Sequence, residues 1–184
     1  MKLRTILVMA VVLIALAVAF VFLRPKPEPP PAEPSKAYIW NFDMLELQRI
    51  AISLPKQGKS QAWIKHADRY FYFDGPHGSK VDMARWGGGI PLLLSRPAAA
   101  RVITAQASEQ QLELYGLDAP AMQIGLTLDS GETIHIELGD KTPNGQAYYI
   151  RRADSKEVYT IDYTWYEVME RLVLDPPYPK VEEE

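Results

Sequence analysis

The chain has no cysteine among its 184 residues. That excludes a disulfide framework, a thiolate zinc site, a cysteine nucleophile and a lipid anchor carried on cysteine. It leaves the redox compartment open, because a thiol-free chain suits either side of a membrane. Histidine is scarce, with three residues. There is no GxSxG elbow and no GxxxxGK[ST] loop, so α/β-hydrolase and P-loop chemistry lack their signatures. A basic excess is missing too: 20 Lys and Arg stand against 23 Asp and Glu, and the longest basic feature is Arg151-Arg152. A polyanion binder shows the opposite balance, so nucleic acid is not an expected partner.

What is present is unevenly distributed. Residues 5–23 (TILVMAVVLIALAVAFVFL) form an uncharged apolar run. As a helix, a run of that length spans about 28 Å, close to the hydrocarbon thickness of a bilayer. Small-residue matches to a cleavage site occur at Ala15-Leu16-Ala17 and Ala17-Val18-Ala19. The run continues past them through Phe20 to Leu23, which favours an uncleaved signal-anchor over residues 1–24. The short basic head, Lys2 and Arg4, favours an N-inside orientation. The expected location is therefore a membrane, crossed once, with the C-terminal domain on the extracytoplasmic side. Residues 1–26 hold four basic residues and no acid, so the remainder carries 16 basic against 23 acidic residues, a net charge near −7.

Residues 25–36 follow as a proline-rich stalk, with six of the fifteen prolines in PKPEPPPAEP. Such composition favours polyproline II, about 3.1 Å per residue. Residues 37–178 are expected to fold as one domain, and 179–184 form an acidic tail; the whole stretch PPYPKVEEE reads as solvated.

Within the domain, strands dominate. Leu47–Leu54, Gln61–His66 and Arg69–Phe73 are β-rich, and Ala100–Thr104 makes a short strand. In Met122–Leu128 and Thr133–Leu138 apolar residues alternate with polar ones, the mark of a sheet with one solvated face. Asp129-Ser130-Gly131 and Asn144-Gly145 mark turns before the further strands Ala147–Arg151 and Val158–Ile161. Val81 to Leu94 reads as a helix broken at Gly87-Gly88-Gly89, the glycines serving close backbone packing. Ser108 to Gln111 and Thr164 to Glu167 have capping-box spacing, and Gly116 is a left-handed helix stop with Leu117 packing back. The fold class is α+β: a mainly antiparallel sheet of hairpins with a few short helices packed against one face, preceded by one transmembrane helix. A faint internal repeat pairs Asp82, Trp86 and Leu92–Leu94 with Asp162, Trp165 and Leu172–Leu174.

Tyr115-Gly-Leu-Asp-Ala-Pro120, a hairpin, LGDKTPNGQAYYIR and VYTI follow one another from Leu114 to Ile161, after RWGGGIPLLLS and the N-terminal apolar run. This order resembles the bacterial family catalogued as domain of unknown function 4340, over roughly residues 38–175. The resemblance implies a membrane-tethered extracytoplasmic domain, in some members encoded beside transporter components of the gliding-motility type. It carries no catalytic residue onto this chain.

The residues themselves offer little chemistry. His66, Asp68, His77 and Asp82 would bind a metal only if their loops converged, and the same residue types build turns. His135 lies on the polar face of its strand. No catalytic, metal or cofactor-binding residue is assigned, and no cofactor is expected. Aromatics are the better lead: in Tyr70–Phe73, Tyr148-Tyr149 and Trp165-Tyr166 they fall on both sides of their elements. Tyr70, Tyr72, Tyr149, Trp165 and Tyr166 are the candidate interaction surface. The expected function is a non-catalytic binding or assembly module, held in the lipid bilayer by residues 5–23 and accessory to a membrane-protein complex in the bacterial cytoplasmic membrane, which the resemblance implies is transporter-associated. The alternatives are an envelope enzyme acting on wall or glycan material, with a cleft gathering His66, His77, Asp74 and Asp82, and a ligand sensor with a closed apolar pocket.

Overall fold

A computed structural model describes residues 37–179 of the chain, together with Val12. The expected anchor, the stalk and residues 180–184 otherwise lie outside the described residues. Among the described residues no helix is long and apolar enough to cross a membrane.

The fold is α+β, built on one eight-stranded sheet. The strands are β1 (Leu47–Leu54), β2 (Lys59–Lys65), β3 (Phe71–Phe73), β4 (Arg101–Thr104), β5 (Met122–Leu128), β6 (Thr133–Lys141), β7 (Ala147–Arg152) and β8 (Val158–Asp162). Their spatial order is β3-β2-β1-β5-β6-β7-β8-β4, and every neighbouring pair is antiparallel. Alternation decides the faces. Ile50, Ile52 and Leu54 of β1, Trp63 of β2, and Met122, Ile124 and Leu126 of β5 all point to one side and are at most 1% exposed. The helices α1 (Met83–Trp86), α2 (Ile90–Ser95) and α4 (Tyr163–Leu174) contribute Trp86, Ile90, Leu94, Trp165, Tyr166 and Met169 to that same core.

Helix α3 (Glu109–Leu114) breaks the expected arrangement of helices against one face. Together with Ala107 and Leu117 it covers Val158 on the opposite, outward side of the sheet. Its local signals hold. Ser108 and Gln111 make both bonds of the capping box, Gly116 turns left-handed at φ 66°, and the Leu117 N–H returns to the Leu112 carbonyl at 2.8 Å. The expected second capping box is not what opens α4. Asp162 is the N-cap, accepting from the Thr164 N–H at 2.8 Å and from the Thr164 hydroxyl at 2.5 Å. A charged carboxylate so placed is the stronger acceptor for the free amides.

The triple glycine joins α1 to α2 as a break, but not for close packing: a Cβ at Gly87, Gly88 or Gly89 meets nothing within 4 Å. Gly87 is needed for its φ of 70° at the end of α1. The C-terminal segment is likewise not all solvated. Tyr178 stacks on Phe73 with ring centroids 4.3 Å apart, and the Pro177 carbonyl accepts from the Asp82 N–H at 2.9 Å.

The faint repeat takes a definite form. β1 and β5 pair with Ile52 opposite Ile124. Moving outward, Ile50 faces Trp63 as Met122 faces Leu138, and Trp63 faces Phe73 as Leu138 faces Ile150. Tyr72 then bridges to Lys80 as Tyr149 pairs with Thr160. Asp82 and Asp162 follow as helix caps. Trp86 lies on Phe71 at 5.5 Å and Tyr166 on Tyr148 at 3.8 Å. The two halves are thus related by a pseudo-two-fold at the β1–β5 seam, and the partner of Trp86 is Tyr166 rather than Trp165.

The backbones at Tyr115-Gly116 and Gly139-Asp140 meet in a close contact. The Asp140 N–H donates to the Tyr115 carbonyl at 2.8 Å, and a Cβ on Gly139 would lie 2.1 Å from that same oxygen. Backbone against backbone cannot relax as a flexible side chain can. Gly139→Ala is therefore expected to destabilise the fold by about 2–3 kcal/mol, while Gly88→Ala shifts it by less than about 0.5 kcal/mol. Urea unfolding of the two variants beside the parent chain checks the contrast.

Candidate functional site: the outward face of the sheet

The face of the sheet turned away from α1, α2 and α4 is the surface least covered by the domain itself. Its residues follow from the alternation that fills the core. Over the seam they are small or polar: Ala51 and Ser53 on β1, Ser60 and Ala62 on β2, Gln123, Gly125 and Thr127 on β5, and Thr133 and His135 on β6. They line a shallow groove of about 490 Å³, closed at one end by Arg49 and Asp74. The Arg49 Nε donates to the Asp74 carboxylate at 2.6 Å, and the Thr127 and Thr133 hydroxyls lie 3.2 Å apart across the strands. Further along the same face, Arg151 holds Glu137 at 2.7 Å, the two side chains only 16% and 19% exposed. Beyond that pair a second depression of about 430 Å³ is lined by Arg101, Thr142, Asn144, Tyr149, Thr160 and Asp162.

The groups that would perform chemistry are dispersed. His66 stacks on Tyr72 at 4.1 Å. Asp68 accepts from the Tyr72 hydroxyl at 2.8 Å, and this bond, helped by the Tyr70 N–H, holds its carboxyl below the usual range. Lys80 lies 3.1 Å from the Tyr70 ring centre and 3.9 Å from Asp68. Asp74 is engaged by Arg49, Asp82 caps α1 through the Ala84 N–H at 2.9 Å, and His77 is exposed in the turn after β3. The cleft envisaged from His66, His77, Asp74 and Asp82 is not formed. Among the described residues there is no group of three or more His, Cys, Asp or Glu able to hold a metal ion.

Of the five aromatic candidates, Tyr70 is 41% exposed, with Lys80 over its ring. Tyr72 and Tyr149 are half-buried, on His66 and on Tyr115 respectively. Trp165 and Tyr166 belong to the core and not to a surface, at 8% and 5% exposure. Trp165 donates to the Leu93 carbonyl at 3.1 Å and Tyr166 stacks on Tyr148; α4 turns both inward. The groove, by contrast, was missed. Its signal is the period-two run of small residues opposite the apolar positions of β1 and β5.

Ser53 and Lys56 also have SxxK spacing, but residues three apart face one another only on a helix. Here Ser53 is in β1 and Lys56 pairs with Asp140 at 3.5 Å.

Residues 94–173 match the family model described as domain of unknown function (DUF4340). The match bears out the resemblance to the DUF4340 family over this segment. No curated protein and no solved structure matches the chain. The DUF4340 match runs from the end of α2 through α4, so it includes β5 and β6 but neither β1 nor β2. The groove therefore spans the matched segment and the half of the domain that precedes it.

The buried tyrosines set an alkaline limit. Burial pushes the Tyr166 hydroxyl up to about 12, with Glu170 and Tyr148 adding to the effect. Tyr159 is likewise pushed up to about 12, by burial and its bond to Glu157. A phenol in the unfolded chain ionises near 10, so unfolding releases a proton between these values. The stabilisation is complete below about pH 10 and is lost as pH rises through about 12. For Tyr166 it amounts to on the order of 2–3 kcal/mol. Tyr166→Phe keeps the ring on Tyr148 and is expected to flatten the fall in urea midpoint between pH 10 and 12.

Proposed function

We propose that the chain is a membrane-tethered, non-catalytic binding module, an accessory subunit of a larger membrane complex. Residues 5–23 cross the bacterial cytoplasmic membrane as a signal-anchor, and the DUF4340 domain lies on the extracytoplasmic side. The observation that carries this reading is the outward face: a groove floored by Ala51, Ala62 and Gly125, with Arg49 and Asp74 already engaged with each other. Such a surface offers shape and hydrogen bonds to a partner without a set of convergent reacting groups. The apolar N-terminal run and the acidic balance of the rest support the tether and its compartment.

A photo-crosslinking residue at Ser53 or Thr127, in the full chain in native membranes, is expected to give one reproducible adduct with a particular membrane protein. The same probe at Leu114, which is 73% exposed on α3, is expected to give none. Equal labelling from all three positions, or self-adducts only, would overturn the assignment of this face.

A further inference from the structure

Part of the apolar surface of the core-side helices is uncovered, and on α2 it adjoins the turn before β1. The 3-10 turn Met44–Glu46 precedes β1, its first residue 43% exposed and Leu45 62% exposed. Helix α2, sequence IPLLLS, buries Ile90 and Leu94 yet leaves Leu92 and Leu93 51% and 41% exposed. The two elements are neighbours: the Phe42 N–H donates to the Ser95 carbonyl at 3.0 Å, and Met44, Leu45 and Pro91 line one depression of about 450 Å³. Lys65, His66 and Arg69 share that lining, which contains no acidic residue. Lys65 binds the Leu45 carbonyl, and among the described residues neither Lys65 nor Arg69 has a carboxylate partner. In a domain with an acidic excess, two cations without a carboxylate partner beside the exposed Met44 and Leu45 are a local inversion of the surface.

We propose that this patch seats the domain on the anionic surface of the lipid bilayer, Met44, Leu45, Leu92 and Leu93 entering the interface and Lys65 and Arg69 meeting lipid phosphates. Apolar side chains rimmed by basic ones are what an interfacial segment needs. The inference rests on the reading that residues 5–23 lie in the bilayer. The position where the chain enters the fold favours the same occupant. Residues 24–36 allow at most about 45 Å of extended chain between the apolar run and residue 37. Residue 37 joins the domain on the segment that follows α2, its carbonyl accepting from the Ala99 N–H at 2.8 Å. The tether thus holds the patch at high effective concentration over the membrane.

The absence of cysteine makes the test clean. Leu45→Cys, Leu92→Cys and, as control, Leu114→Cys each accept one environment-sensitive fluorophore in the full chain, reconstituted in phosphatidylcholine vesicles with or without phosphatidylglycerol. All three positions are exposed, so the fold tolerates the label. Brominated lipids are expected to quench the probes at 45 and 92 several-fold more than the probe at 114, and more strongly with phosphatidylglycerol. Lys65→Gln with Arg69→Gln is expected to lower the docked-to-free ratio by roughly 25-fold. Equal quenching at all three positions, or quenching indifferent to anionic lipid and to both substitutions, overturns the proposal. Protection of 45 and 92 only in native membranes, without lipid quenching, also overturns it in favour of a protein occupant. Alkaline carbonate extraction reads the anchor separately. Retention with unquenched probes overturns docking alone, and release into the supernatant overturns the anchor and the docking with it.

Discussion

The domain depends on the pairing of β1 with β5. On one side of that seam stands the meander β1-β2-β3, on the other β5-β6-β7-β8, and neither has enough inner face to bury alone. Joined, they bring Ile50 and Ile52 against Leu126 and Ile124, all at 1% exposure or less. Each such side chain is worth roughly 1.5–3 kcal/mol when removed from water. The partners lie about seventy residues apart in the chain, so loop-closure entropy must be met before any of this gain is realised. The short-range features, caps and hairpins, reduce that cost by restricting each half before the halves meet.

The same register fixes what the other face of the seam looks like. With Ile52 opposite Ile124, the outward pair beside it is Ala51 and Gly125, and Ser53 falls opposite Gln123. Because the side-chain period is two, dense packing within and a small-residue floor without are one choice of register. A slip by one residue would bury Ser53 and Gln123 and expose the isoleucines. The groove is therefore a property of both halves jointly, although the family match covers only the second. The pseudo-two-fold makes this intelligible: Asp82 and Asp162, Phe71 and Tyr148, and Trp86 and Tyr166 occupy corresponding places although their spacings along the chain differ.

Local structure was legible in the sequence because local physics determines it. The alternation in β5 and β6, the Ser108–Gln111 box and the Gly116 stop all concern residues within a few positions of each other, and all are found. What could not be read is what depends on distant partners. β4 lies at the far edge beside β8, after a crossing from β3 at the opposite edge. α3 covers the outward side because Tyr115 finds Tyr149 at 4.4 Å. The aromatic pairs looked like surplus surface because α4 cannot be placed from sequence; once placed, it buries Trp165 and Tyr166. Tyr178 looked solvated for the same reason, its partner Phe73 being about a hundred residues away. The candidate site shares this character, since periodicity gives its small residues but only the β1–β5 register puts them together.

The two surfaces singled out have different physical natures, and their placement makes them compatible. The groove is polar, floored by small residues and turned away from the helices, whereas the patch on α2 and the turn before β1 is apolar, basic-rimmed and on the helix side. If both served one partner, that partner would have to wrap around the sheet edge formed by β3, whose outer side is already bridged by Lys80. Separate occupants need no such wrapping. A domain seated through its helix side leaves the seam face unobstructed, while the α3 cover closes the outward side over Val158. An uncovered patch on the helix side and an open groove on the sheet side would thus let one small domain be held at a surface and still present a second surface for binding.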